Sequence, residues 1–179
     1  MKLNRKDIYK ILASIFGFAL LIGLFVREIP YNINTFDYSF FLSISIVTGV
    51  LAGILAGFYF KKYTDELIEK FQLFVGLAIV GGFIFPVLAG LANRVYVQPD
   101  SESLTYIDTR EVYGMIFKAA IPESGQPEPS AYDILLERET GEREVVRFSY
   151  YISENWQSGQ QAELSLYRGL LGVKFIYPE

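Results

Sequence analysis

The side chains able to do chemistry in this sequence are carboxylates, tyrosines, lysines and one tryptophan, because its 179 residues include no Cys and no His. Thiol redox chemistry, Cys or His nucleophile pairs and Cys/His zinc sites are therefore excluded. Carboxylates work as general acid and base only where burial or mutual proximity separates their pKa values. The acids here fall mostly at hairpin tips and at outward positions of alternating runs. The densest group, Glu137, Glu139, Glu142 and Glu144, invites a calcium reading. It is interleaved with Arg138 and Arg143 and lacks the spaced oxygen ligands of a calcium loop, so it reads as a solvated hairpin end. No P-loop, GxGxxG, GxSxG or HExxH pattern occurs. The expectation is a non-enzymatic chain with no catalytic, cofactor-binding or metal-binding residue.

Three other features stand out. Gly49, Gly53 and Gly57 form a doubled GxxxG, which puts three missing side chains on one helix face and lets another backbone approach. That face suits either packing against a neighbouring helix of the same chain or self-association. Gly82 and Pro86 mark an expected kink, since Pro86 cannot donate to the Gly82 carbonyl. Trp156, in the loop SENWQSGQ, is the candidate partner contact, because tryptophan combines a large apolar face with a polar edge.

The elements that position these residues divide at Arg94. Residues 1–94 hold nine Lys and Arg against six Asp and Glu, whereas 95–179 hold seven against fourteen. The first part carries three uncharged runs, at 11–26, 40–60 and 71–93. A hydrocarbon core of about 30 Å needs roughly 20 helical residues. The second and third runs reach that length, and the first does so if Lys10 snorkels to the headgroups. Three transmembrane helices are expected, over about 8–26, 40–60 and 71–93. The first run is too long for a typical signal-peptide core and lacks a small-x-small site after it, so it reads as a retained anchor. None of the three runs contains an ionisable side chain, which argues against charge-coupled transport.

Orientation follows from Lys and Arg alone. Four precede the first span and three lie in the 61–70 loop, against Arg27 and Arg94 on the opposite side. This count places the N-terminus in the cytoplasm and the C-terminal part outside.

Residues 95–179 alternate apolar and polar side chains between frequent turn signals, which reads as a small antiparallel β domain, sandwich- or barrel-like. A three-residue loop Glu139-Thr140-Gly141 pairs Glu137 with Arg143 and Asp133 with Arg147, and puts Ile134, Leu136, Val146 and Phe148 on one apolar face. A second hairpin is expected across Arg168–Gly172. Earlier strands are expected near 95–98, 103–107 and 112–119, the last also compatible with a helix that Asp108 and Glu111 would cap. Residues 121–130, with three prolines, read as an irregular loop.

The architecture expected is thus an α-helical integral membrane part (1–94) followed by an extracytoplasmic all-β domain (95–179). Its expected location is a bacterial cytoplasmic membrane. The expected role is that of a subunit or accessory protein that binds another envelope protein. The alternative is a transport or channel subunit whose Gly-rich helices line a path on oligomerisation. The expected partners are the lipid bilayer and another membrane or envelope protein, or a second copy through Gly49, Gly53 and Gly57. No basic patch points to nucleic acid.

Overall fold

The computed structural model describes residues 5–100, 102–114, 129–162 and 164–178, and these form three long helices followed by two small antiparallel sheets. Helices α1 (Arg5–Ile33), α2 (Tyr38–Phe60) and α3 (Leu67–Asn93) follow one another, with a single 3-10 turn at Lys61–Tyr63. Stretches Ile15–Ile33, Tyr38–Tyr63 and Leu67–Asn93 are long and apolar enough to cross a membrane. A helix suits that setting because it satisfies its backbone polar groups internally.

α1 runs on to Ile33, beyond the Val26 at which its apolar run stops. Arg27, Glu28 and Pro30 do not end it. Pro30 forfeits only the hydrogen bond that its missing N–H would have given to the Val26 carbonyl. Glu28 is carried into this last part of the helix and is buried. α3 is likewise continuous across Pro86. At the end of α2 the lysines sit over aromatic rings, Lys61 at 5.3 Å from Phe58 and Lys62 at 4.5 Å from Tyr59. Such aromatic and cationic pairs suit a membrane–water boundary.

The chain forms two compact units. One comprises Met1–Ile29 and Phe40–Leu91, and the other Pro30–Ser39 and Ala92–Glu179. The β unit thus takes in the segment between α1 and α2.

Within the β unit, strands β1 (Gln98–Asp100), β5 (Leu166–Arg168) and β6 (Lys174–Phe175) form one sheet in the order β1-β5-β6. Strands β2 (Leu104–Val112), β3 (Ala131–Arg138) and β4 (Arg143–Phe148) form the other in the order β2-β3-β4. The β3–β4 hairpin has the expected register, with Glu137 opposite Arg143 and Asp133 opposite Arg147. Gly141, at φ +83°, takes the left-handed position that closes the three-residue loop. The second hairpin also forms, pairing Tyr167 with Phe175 and Arg168 with Lys174.

The early strands differ from expectation. The first lies at 98–100, and the second extends to Val112 because a register step between Tyr106 and Asp108 absorbs the break in its alternation. Residues 108–112 are therefore strand and do not start a helix. Residues 115–119 and 121–128 of the expected third strand and loop lie outside the described residues.

Two further segments extend the sheets. Residues 159–162 run antiparallel to the start of β2, where Tyr106 N–H donates to the Gln160 carbonyl (2.8 Å) and Ala162 N–H to that of Leu104 (2.7 Å). Thr35 pairs with Phe175 along β6, where Phe36 N–H donates to the Lys174 carbonyl (2.9 Å) and Ile176 N–H to that of Asn34 (3.0 Å). Both sheets share one core built around Phe36, Leu104, Ile134, Leu136, Val146 and Phe148, continued by Tyr106, Ala162, Leu166 and Ile176.

Candidate functional site

Trp156 is the one candidate contact residue that the structure places in a concavity. It follows β4 in an irregular stretch that is tied to β2 by hydroxyl groups. Buried Ser153 lies 2.6 Å (Oγ to Oγ1) from Thr109, which in turn lies 3.0 Å from the Tyr106 hydroxyl. The Trp156 N–H donates to the Ser153 carbonyl at 3.1 Å. Its indole meets the Tyr106 ring edge-to-face, with centroids 5.6 Å apart and planes at 71°. The indole therefore packs against the edge of the core while part of it remains accessible.

The concavity beside it has a volume of about 370 Å³, at the small end of the range for ligand sites. β4 and the stretch after it contribute Phe148, Tyr150, Ile152 and Trp156. Residues around β5 and after β6 contribute Leu164, Ser165, Tyr167, Ile176 and Tyr177. Tyr177 stands edge-on to both Tyr167 (5.1 Å) and Phe175 (5.2 Å), which fixes that wall. Among the described residues, no lining side chain is charged. The walls can bury an apolar or aromatic group and offer tyrosine and serine hydroxyls to a neutral polar one.

The acidic hairpin end is differently organised from the solvated cluster expected. Arg138 has a side chain only 11% exposed, and four acids converge on it. They are Asp37 (2.9 Å), Glu102 (2.8 Å), Glu142 (3.1 Å) and Glu144 (3.7 Å). Glu102 also pairs with Lys174, which reaches Asp100 (3.4 Å), and Asp100 pairs with Arg168 (2.8 Å). Glu144 is partly buried, and its carboxylate accepts the Asp37 N–H at 3.1 Å. Burial would raise the Glu102 carboxyl, but the hydrogen bonds and charges of Arg138 and Lys174 outweigh it and hold the carboxyl below its ordinary value. These acids are answered by cations of the same unit, and among the described residues no group of three or more acids is arranged to hold a metal ion.

Gly49, Gly53 and Gly57 are buried, and the backbone and side chains of α3 cover them. A methyl group on Gly49 would collide with the Gly81 carbonyl, on Gly53 with the Leu77 carbonyl, and on Gly57 with the Phe74 ring. Gly81, which the sequence analysis did not single out, is the reciprocal position, where a methyl group would strike the Gly49 carbonyl. Its spacing of four from Leu77 and from Phe85 was the available signal. Gly82 faces Val50 and Ile46 at ordinary to tight contact distances. On α1, a methyl group at Gly17 or Gly23 would meet nothing within 4 Å, so these glycines face open space.

Comparison with protein-family models, curated proteins and solved structures finds no match to this chain. The functional reading therefore rests on the geometry of the site.

Proposed function

We propose that this chain is a non-catalytic membrane protein whose β unit binds another envelope protein, taking an uncharged polypeptide segment into the cleft beside Trp156. The cleft carries this reading. Aromatic and aliphatic side chains line it together with tyrosine and serine hydroxyls and exposed polar groups, and a charged guest would lose hydration there without gaining a counter-charge from the described lining residues. Rigid aromatic side chains are the residues most able to supply binding energy in a small area.

The bilayer location rests on the three apolar helices. The count of flanking lysines and arginines supports an N-terminus in the cytoplasm and a β unit outside it. One feature of the β unit agrees with paired crossings. It combines residues before α2 with residues after α3, and two spans between them return the chain to the same side. The alternative of a transport path lined by glycines has less support, because α3 covers the glycine face of α2.

The test is site-specific photocrosslinking of the full chain in its native membrane. A photoreactive residue at Tyr150 or Ser165 should give the same discrete protein adduct, and one at Thr140, on the hairpin loop, should not. Tyr177→Glu, which places a carboxylate in the cleft, should abolish that adduct. Identical adducts from Thr140, or adducts unaffected by Tyr177→Glu, would overturn the reading.

A further inference from the structure

The turn between β5 and β6 exposes two leucines on a closely held backbone. Gly169 N–H donates to the Val173 carbonyl (3.0 Å) and Gly172 N–H to that of Gly169 (2.9 Å). Gly172 adopts φ +79°, where a side chain would be strained. Asn93, the last residue of α3, holds this turn by three hydrogen bonds. Its carbonyl accepts the Leu170 N–H (2.9 Å), its Oδ1 accepts the Leu171 N–H (3.0 Å), and its Nδ2 donates to the Val173 carbonyl (3.0 Å). Gly169 has no room for a methyl group, which would strike Asn93. The backbone is thus fixed, yet the Leu170 and Leu171 side chains are 56% and 51% exposed. Val95 and Tyr96, just beyond Asn93, are exposed at 79% and 57%.

Two exposed leucines held by one buried asparagine, with two more exposed apolar residues just after it in the chain, call for a specific environment. The end of α3 supplies it. Its uncharged run, 71–93, is about 34 Å long at 1.5 Å per residue, against about 30 Å for a hydrocarbon core. Asn93 therefore falls close to the hydrocarbon boundary, and groups hydrogen-bonded to it share that depth.

We infer that the Gly169–Val173 turn is an interfacial lipid anchor. Leu170 and Leu171 insert into the acyl-chain boundary of the phospholipid layer that α3 crosses, and Val95 and Tyr96 lie beside them. The β unit then touches the membrane through this turn as well as through the helix that precedes it. The inference rests on α3 crossing the bilayer and is independent of the Trp156 cleft.

The experiment uses the full chain reconstituted in phospholipid vesicles with Trp156→Phe as background, so that one introduced tryptophan reports alone. Leu171→Trp should show blue-shifted emission, strong quenching by lipids brominated near the headgroup and little quenching by aqueous iodide. Leu88→Trp, within α3, reports the crossing itself. Quenching of Leu88→Trp by brominated lipid, with Leu171→Trp open to iodide and indifferent to the lipid, would overturn the anchor and leave the crossing intact. Absence of lipid quenching at both positions would overturn both.

Discussion

The carboxamide of Asn34 pairs with the peptide group of Arg147 as a neighbouring strand would. Asn34 Nδ2 donates to the Arg147 carbonyl at 3.0 Å, and Asn34 Oδ1 accepts the Arg147 N–H at 2.7 Å. Its backbone carbonyl meanwhile accepts the Ile176 N–H. One buried residue thus links the outer edge of β4 to the segment following β6, using its side chain on one sheet and its main chain on the other.

Asn34→Ala leaves the Arg147 N–H and carbonyl unpaired in a site from which Asn34 itself excludes solvent. The expected cost is about 2–4 kcal/mol, from two backbone groups at roughly 1–2 kcal/mol each. Hydrogen exchange on the full chain in lipid nanodiscs should show lost protection at Arg147. Unchanged protection there would remove Asn34 from this structural role.

Replacing Arg138 by Leu strips the central cation from Asp37, Glu102, Glu142 and Glu144. The guanidinium and Glu102 are both largely buried, so breaking the pair should cost about 2–4 kcal/mol, less than for a fully desolvated pair. Arg138→Lys keeps the charge but loses the fork that reaches several acids, and should fall between wild type and Leu in thermal unfolding.

Acid pH should act on this network in two opposed ways. Burial raises the Asp100 and Glu102 carboxyls, but Arg168, Arg138 and Lys174 hold them below 3.8 and 4.5 respectively. Such groups contribute stability that is complete above their unfolded pKa and lost as pH falls through the folded one. Glu144 is raised above 4.5, chiefly by burial and also by the charges of Asp37 and Glu142, so its protonation favours the folded chain. Thermal stability should rise slightly as pH falls through the raised Glu144 pKa towards 4.5, and fall as pH drops further and the Asp100 and Glu102 carboxyls are protonated. Glu144→Gln should remove the rise, and Glu102→Gln should flatten the fall. Variants that follow the wild-type profile would contradict the assignment.

The two helix glycine sets should respond differently to the same change. Gly53→Ala forces α2 and α3 apart, because its new methyl group meets the Leu77 backbone rather than a flexible side chain. The expected loss is about 1–3 kcal/mol, as for other overpacked contacts. Gly17→Ala on α1 meets nothing within 4 Å and should be neutral or slightly stabilising through helix propensity. Cysteine crosslinking between α2 and α3 in membranes, together with thermal unfolding in detergent, separates the two.

Local patterns made much of this fold legible. The β3–β4 register followed from a three-residue loop and two cross-strand charge pairs, and the three helices followed from the absence of charge over their lengths. What was not legible depends on partners far away in sequence. Nothing near Arg138 indicates that Asp37 and Glu102 will surround it, and alternation alone leaves it at a solvated loop. The stretch Asn34–Phe36 carries no strand pattern, so its pairing with β6 was invisible. At the candidate site, Trp156 stood out as a residue type, whereas Tyr150, Leu164, Tyr167 and Tyr177, which complete the cleft, lie in or beside different strands, and no local pattern brings them together.

The pairing of Thr35 with Phe175 also constrains the order of assembly. A ribosome makes Thr35 about 140 residues before its partner, and two helices long and apolar enough to cross a membrane lie in between. Until the 174–176 segment emerges, Phe36 lacks the strand that ties it to the core. The β unit is therefore completed only after α2 and α3 have been made, and stalling before β6 should leave a recognisable, protease-sensitive intermediate.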